Sequence, residues 1–381
     1  MSLKTEHARI DLIDVIRGFA LLGVFTANMR FFNSSYLGTV MGLELWPGKW
    51  NAFVKTAIEM LVAGKFISIF SFLFGFGMII MMERAQAKNS KFTTIYARRL
   101  LAMIIFGLIH GLFIWFGDIL LHYALMGFLL LLLFRNRKPR TMLIWSIVLM
   151  SVLPLFMLIV GGGSESFDTE QFQLQLQQAV HTQTQIYSQG SFGQIMAMRF
   201  SDWLSSFFNQ VTFAPYLLGM FVLGCYFAKK KIFHQAADNG RLLLRLCGLT
   251  LLACLLLYGL KPFVPENAGE MLKFLTWPLG AIFMMTLIAI LFQKARWRKW
   301  LLPFSYVGRM AFTNYIMQSV ICTFIFYSYG LGMFGKVSDV TGLGITIVIF
   351  ALQMLLSKLW LSRFKMGPLE WAWRKFTYWG R

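Results

Sequence analysis

The chain has 381 residues, 57% of them apolar and 14% charged, with a mean hydropathy of +0.63 and a formal net charge of +20. Ten apolar stretches of about 20 residues, each able to cross a hydrocarbon core of roughly 30 Å, exclude a soluble globular domain. The 36 Lys and Arg against 16 Asp and Glu do not call for nucleic acid, because they gather in alternate loops and leave no basic stripe with interleaved aromatics elsewhere.

The N-terminal MSLKTEHARIDLID is too polar for a cleavable signal, so the first apolar segment, about 15–32, is expected to stay in the mature protein. A second span covers about 62–82 and is followed by a loop carrying Arg84, Lys88, Lys91, Arg98 and Arg99. Residues 51–64 before it read as an outer amphipathic segment leading in. The third (100–116) and fourth (119–134) spans are joined by Gly117-Asp118, and the basic RNRKPR run precedes the fifth at 141–160. Residues 161–206 form a polar, Gln-rich insertion whose pattern does not choose between strand and helix.

The sixth span (211–228) leads into KKKIFHQAADNGR, and the seventh ends near Gly259. The eighth (276–292) contains Pro278 and precedes KARWRKW; the ninth covers 306–328 and the tenth 342–361. Residues 362–381 form a basic, Trp-rich tail suited to the headgroup region. With the N-terminus in the cytoplasm and one crossing per span, about 25 Lys and Arg fall inside and about five outside. The expected fold is therefore all-α and polytopic: about ten transmembrane helices in one bundle, with both termini cytoplasmic. No internal repeat is evident.

Ionisable groups within a span are costly and mark functional positions, with snorkelling to the interface as the plain alternative. In the first span, Asp14 and Arg17 are three residues apart on one face, and Asn28 follows eleven residues after Arg17, about 20° further around the helix. Lys65 opens GKFISIFSFLFGFGM, where Ser68, Ser71, Gly75 and Gly77 offer close-packing positions. His110 sits inside the third span with Gly107 and Gly111 beside it, Asp118 two turns later and Tyr123 on the next helix. An imidazole is a proton-transfer group near neutral pH, and a carboxylate can fix its tautomer; a packed core histidine is the competing reading. The ninth span carries Arg309, Thr313, Asn314, Tyr315, Gln318, Ser319 and Thr323 around its circumference, which places it centrally, with Asn314 and Gln318 stacked at i, i+4. Cys225, Cys247, Cys254 and Cys322 lie in or beside apolar segments without metal-type spacing, and the five histidines are scattered, so neither a metal nor a tightly bound cofactor is expected.

Asp14, Arg17-Gly18 and Asn28, then KFISIFSFLFGFG, GLIHGLFIWFGDILLHYALMG, VGRMAFTNYIMQSVICTFIFYSYGLG and GPLEWAWR, taken together and in this order, resemble the YeiB family of bacterial inner-membrane proteins. That resemblance implies a multi-pass protein of the bacterial inner membrane. The D-x-x-RG helix with its later Asn is more distantly similar to membrane acyltransferases typified by heparan-α-glucosaminide N-acetyltransferase. This second likeness implies transfer of an acyl group from cytosolic acyl-CoA to an acceptor in or across the membrane. In those enzymes the catalytic histidine follows the first span; residues 31–64 here contain none, so His110 would have to serve.

The resulting expectation is a membrane acyltransferase with acyl-CoA as co-substrate. His110 is the general base oriented by Asp118, and Arg17, Arg98 and Arg99 face the phosphates of CoA. Asn28, Asn314 and Gln318 polarise the thioester or orient the acceptor, and Asp14, Lys65, Tyr123 and Arg309 complete the binding set. The alternative is a transporter or exporter of a small amphiphile or lipid, which would use the same buried polar groups as a path. Expected partners are membrane lipids and a small-molecule or lipid substrate, with no nucleic acid; a homo-oligomer is left open.

Overall fold

The computed structural model describes residues 3–160 and 170–379, and among them every regular element is helical. A helix satisfies its own backbone polar groups, which hydrocarbon cannot do for it. In chain order the helices are α1 (Leu3–Asn33), α2 (Tyr36–Val40), α3 (Lys49–Leu61), α4 (Lys65–Ala87), α5 (Phe92–Ile109), α6 (Leu120–Leu133), α7 (Pro139–Val160) and α8 (Glu170–Gln189). They continue as α9 (Phe192–Thr212), α10 (Ala214–Lys229), α11 (Gly240–Leu260), α12 (Glu266–Phe292), α13 (Ala295–Arg309), α14 (Ala311–Phe326), α15 (Asp339–Arg363) and α16 (Pro368–Thr377).

Seven helical runs are long and apolar enough to cross a membrane: Asp11–Asn33, Lys49–Ala87, Phe92–Ile114, Pro139–Ile159, Gly240–Phe263, Glu266–Phe292 and Asp339–Arg363. An eighth is reached if α9 and α10, which meet at 61°, count as one broken span. α6 and α14 are apolar but short, with 14 and 16 residues. Each of the ten apolar segments of the sequence thus has its helix; apart from the 16-residue α10, which reaches spanning length only together with α9, α6 and α14 fall short. Both short ones border a break, the non-helical stretch before Leu120 and the irregular Met310, and such backbone is tolerated at depth only inside protein. The first part of the polar insertion, 161–169, lies outside the described residues; the rest is α8 and most of α9.

α10 is the central helix, buried from Tyr216 to Ala228 apart from Tyr226, and α4, α7 and α6 pack around it. α7, α11 and α15 expose Ile144, Ile147, Leu249, Leu252, Leu255, Leu352 and Leu356, the surface that lipid would cover. One end of the bundle collects the start of α1, the start of α5, α13 and α16. There Asp11 pairs with Arg298 at 3.6 Å, and the Arg99 guanidinium stacks 4.0 Å over Trp373. This is the end that the basic loops assign to the cytoplasm. The opposite end ties α1 to α15 through an Arg30–Asp339 ion pair at 2.9 Å, and is covered by α8 and α9.

Two helix crossings bring main chain against main chain. Gly75 of α4 lies on the backbone of Phe221, and Gly224 of α10 lies on that of Phe72; Gly18 and Gly308 meet in the same reciprocal way between α1 and α13. Helices in lipid gain little by hiding apolar surface from one another, so close packing at small residues is what holds such pairs. Gly77, two residues from Gly75, faces open space. Gly75→Ala is therefore expected to cost about 1–3 kcal/mol of stability through overpacking. Gly77→Ala is expected to be neutral or slightly stabilising, which thermal unfolding of the purified variants in detergent will read.

Candidate functional site

α5 gives way at His110 to a single wide turn, His110–Ile114, closed by a 2.8 Å bond from Trp115 N–H to the His110 carbonyl. Trp115 is extended, and α6 restarts at Leu120. Asp118 lies in this connection, where one carboxylate oxygen accepts the Leu121 N–H at 2.9 Å and so caps the first turn of α6. Its other oxygen is 2.9 Å from His110 Nδ1, and His110 Nε2 is 2.9 Å from Ser319 Oγ on α14. His110 and Ser319 have no exposed surface and Asp118 retains 2%.

An ionised carboxylate only accepts, so Nδ1 carries the proton toward Asp118 and a neutral ring leaves Nε2 to accept from the Ser319 hydroxyl. The result is a Ser–His–Asp chain, polarised away from the serine proton. Tyr315, one turn before Ser319, sets its ring 5.0 Å from the imidazole and donates to the Gly117 carbonyl at 3.3 Å. The flanking glycines have identifiable uses: a Cβ on Gly107 would meet Leu121 N and the Asp118 carboxylate, and one on Gly111 would meet the Trp203 indole. What these small residues admit is the start of α6 and a tryptophan of α9.

α14 is held from both sides. Gln318 Nε2 donates to Gln353 Oε1 at 2.9 Å, Gln353 Nε2 donates to the Asn314 carbonyl at 3.0 Å, and Asn314 Nδ2 donates to Ser357 Oγ at 2.9 Å, a ladder between α14 and α15. Glu370 of α16 accepts the Phe312 and Thr313 N–H groups at 2.7 and 3.0 Å and the Thr313 hydroxyl at 2.5 Å. A carboxylate on the free N–H groups of a helix start is a strong cap, worth about 1 kcal/mol.

α9 covers the other end of the site with a buried stripe of Ile195, Arg199, Asp202 and Ser206. Arg199 Nη1 donates to the Phe113 carbonyl at 2.6 Å, and Gln210 Nε2 donates to the Asp118 carbonyl at 3.3 Å and to Ser206 Oγ at 3.0 Å. Asp202 accepts from Gln183 at 2.6 and 2.8 Å and from the Tyr187 hydroxyl at 2.6 Å. Gln183 in turn accepts from Ser35, so α8 is bound to the start of α2. Burial pushes the Tyr187 hydroxyl well above its ordinary pKa, keeping it a neutral donor to that carboxylate.

The remaining residues marked in the sequence form separate groups. Asp14 and Arg17 pair at 2.6 Å and Arg17 also donates to the Gly308 carbonyl at 3.3 Å, at the basic end of the bundle. Asn28 is half-buried. Lys65 points into the bundle, 3% exposed, and donates to Tyr258 at 3.0 Å, so it does not snorkel. Arg98 donates to the Trp379 carbonyl at 2.5 Å and Arg99 lies on Trp373, so α16 engages both. Tyr123 is 2.7 Å from the Ser71 hydroxyl, not beside His110, and the exposed Arg309 donates to the Lys365 carbonyl at 3.4 Å. Arg17 and His110 therefore belong to different networks.

Ser319 and Arg199 are the functional candidates that reading the residues alone passes over. Ser319 is one of several hydroxyls in its span, and only the packing of α14 against α5 singles it out. Arg199 stands in a stretch whose Ile195, Arg199, Asp202, Ser206 spacing is that of one helix face. Among the described residues no three His, Cys, Asp or Glu side chains converge as a metal site.

The tautomer assignment is testable. In protein labelled with ¹⁵N-histidine, the His110 resonances are expected to show a protonated Nδ1 and an unprotonated Nε2. Ser319→Ala should shift Nε2 while leaving Nδ1 protonated, and Asp118→Ala should remove the Nδ1 preference.

Residues 227–380 match a family model described as a protein of unknown function, DUF418. Over its whole length the chain is similar to three curated bacterial proteins. It is 40% identical to the uncharacterized protein YxaH of Bacillus subtilis, covering 98% of this chain and 95% of that one. It is 28% identical to an uncharacterized 39.9 kDa protein from the amylase 3' region of Bacillus acidopullulyticus, covering 97% and 94%. It is 26% identical to the uncharacterized protein YeiB of Escherichia coli, covering 96% and 95%. With relatives matched from end to end and the family model matched over its C-terminal part, the chain belongs to the YeiB-type, DUF418-containing family of multi-pass membrane proteins.

Proposed function

We propose that the protein is a membrane-embedded acyltransferase that moves an acyl group from acyl-CoA to an acceptor in or across the bacterial inner membrane. The observation that carries this reading is the Ser319–His110–Asp118 chain, with both hydrogen bonds at 2.9 Å inside an apolar bundle. Such a chain is the arrangement that acyl transfer uses on unrelated folds, and it is recognised by geometry and roles. A packed histidine needs one partner at each nitrogen, but not a carboxylate on one side and an alcohol on the other.

In the proposed reaction Ser319 Oγ attacks the thioester carbonyl while His110 Nε2 takes its proton. The C–S bond breaks, and the departing thiolate of CoA receives that proton from His110. The acceptor hydroxyl or amine then attacks the acyl-serine, gives its proton to His110, and Ser319 Oγ recovers it as the ester bond breaks. Asp118 stabilises the imidazolium at each stage and never needs to be protonated itself. Because His110 and Ser319 are closed off, reactants reach them only when a covering element moves. α9, laid over Phe113 and Asp118 and bent 61° from α10, is that element in this reading.

Purified protein is expected to release free CoA thiol from acyl-CoA, and to do so faster with an added acceptor. His110→Ala and Ser319→Ala should each lower the rate by about 10³-fold or more, and Asp118→Asn by a comparable factor. Unchanged rates in folded Ser319→Ala protein would remove the covalent step; unchanged rates in His110→Ala would remove the mechanism.

The bend between α9 and α10 also favours a second reading, a transporter of a small amphiphile or lipid, since broken helices line substrate paths in transporters. Counterflow of a labelled lipid in proteoliposomes without consumption of acyl-CoA would select it.

A further inference from the structure

Arg199 is the only arginine in the core among the described residues, with 1% of its surface exposed. No carboxylate stands within ion-pair distance of it: Asp202, three residues on along the same buried stripe, is turned to Gln183 and Tyr187. The guanidinium donates through Nη1 to the Phe113 carbonyl at 2.6 Å, with Met196 Sδ at 3.3 Å, and through Nη2 to the Tyr329 hydroxyl at 3.4 Å. Its Nε–H has no partner. A buried charge held only by neutral groups is costly, and the cost falls when an anion joins it.

The nearest carboxylate, Asp202, is taken up by Gln183 and Tyr187, and the groups left without a partner around the guanidinium are donors. The Tyr327 ring lies 5.6 Å from the guanidinium carbon; it is fully buried, and its hydroxyl has no partner. Trp115, two residues after Phe113, is 1% exposed and its indole N–H is also unpartnered. Tyr187 stacks on Tyr327 at 4.5 Å and gives its own hydroxyl to Asp202, which leaves the Tyr327 hydroxyl as a free donor. An arginine fork with phenol hydroxyls is a combination that grips phosphate oxygens.

We propose that Arg199, with the hydroxyls of Tyr327 and Tyr329, binds a phosphate-type oxyanion carried by the acceptor, against the turn that begins at His110 and whose Phe113 carbonyl Arg199 holds. The word acceptor rests on the acyltransferase reading; the binding itself does not. The phosphate can belong to a lipid headgroup or to a soluble phosphate ester, and the same chemistry recognises both. Its place, under α9 at the end away from the basic loops, puts the anchored group beside the element that covers His110.

The test follows thermal unfolding of the purified full-length protein in detergent micelles, without acyl-CoA. One series adds inorganic phosphate against chloride of matched ionic strength; the other adds phosphatidylglycerol against phosphatidylcholine. At least one anionic probe is expected to raise the midpoint of the wild type, with half-saturation weakened about tenfold in Arg199→Gln and less in Arg199→Lys. A response to phosphatidylglycerol alone assigns a lipid headgroup, and a response to inorganic phosphate assigns a soluble ester. Should Arg199→Gln fail to fold, Tyr327→Phe and Tyr329→Phe keep both rings and are each expected to weaken binding several-fold. The proposal is overturned if neither probe shifts the wild type. It is equally overturned if Arg199→Gln, or in its place both tyrosine variants, bind as the wild type does, which would make Arg199 a structural brace. Phosphate binding without any transfer from acyl-CoA would retire the acyltransferase reading and leave this site standing.

Discussion

The need to give non-helical backbone its partners inside the protein governs this molecule. Ten residues from His110 to Ile119 leave the α-helical path, which hydrocarbon would not tolerate if they faced it. They persist because α14 closes one side and α9 the other. The Phe113 carbonyl is taken by Arg199, the Gly117 carbonyl by Tyr315 and the Asp118 carbonyl by Gln210. The irregular backbone and the hydrogen-bonded chain through His110 are thus one construction: the same packing that satisfies the loop brings Ser319 to the imidazole.

The architecture was legible in the residues because bilayer thickness imposes a length on each apolar run. The long runs of α7, α11, α12 and α15 were therefore plain, and the Trp-rich tail resolves as α16 with Trp371 and Trp379 exposed. What could not be read was which helices are shortened. The stretch around Gly117 lies between two apolar runs, and α14 continues an apolar run beyond Met310; only tertiary packing sets where these helices break. The Gln-rich segment likewise carried no decisive period, since α8 buries just Leu176, Gln183 and Tyr187 among its described side chains.

The site was half legible. His110 and Asp118 stand eight residues apart on either side of a turn, so the pairing follows from local chain geometry once the histidine is known to face inward. Ser319 comes 209 residues later, and nothing local distinguishes it from Ser305 or Thr323. The arginines show the opposite error. Arg98 and Arg99 looked free for phosphate because a basic loop is easily imagined as a docking surface, yet the C-terminal helix covers them. Arg199, in the polar Gln-rich insertion where a charge passes for an ordinary outer-loop residue, is the buried one. Charge in a sequence says where a cation is tolerated; burial without a counter-ion says where one is wanted.

The Glu370 cap on α14 has a consequence for biogenesis. The helix that presents Ser319 begins with N–H groups whose acceptor is synthesised 57 residues later, after α15 has crossed back. During insertion that helix start must wait, held by water or by neighbouring carbonyls, until the last amphipathic segment folds onto the membrane face. Assembly of the reactive alcohol is thereby tied to completion of the polypeptide, and a ribosome product stopped just after α15 would carry every membrane-crossing segment yet lack the clasp that sets the serine in register.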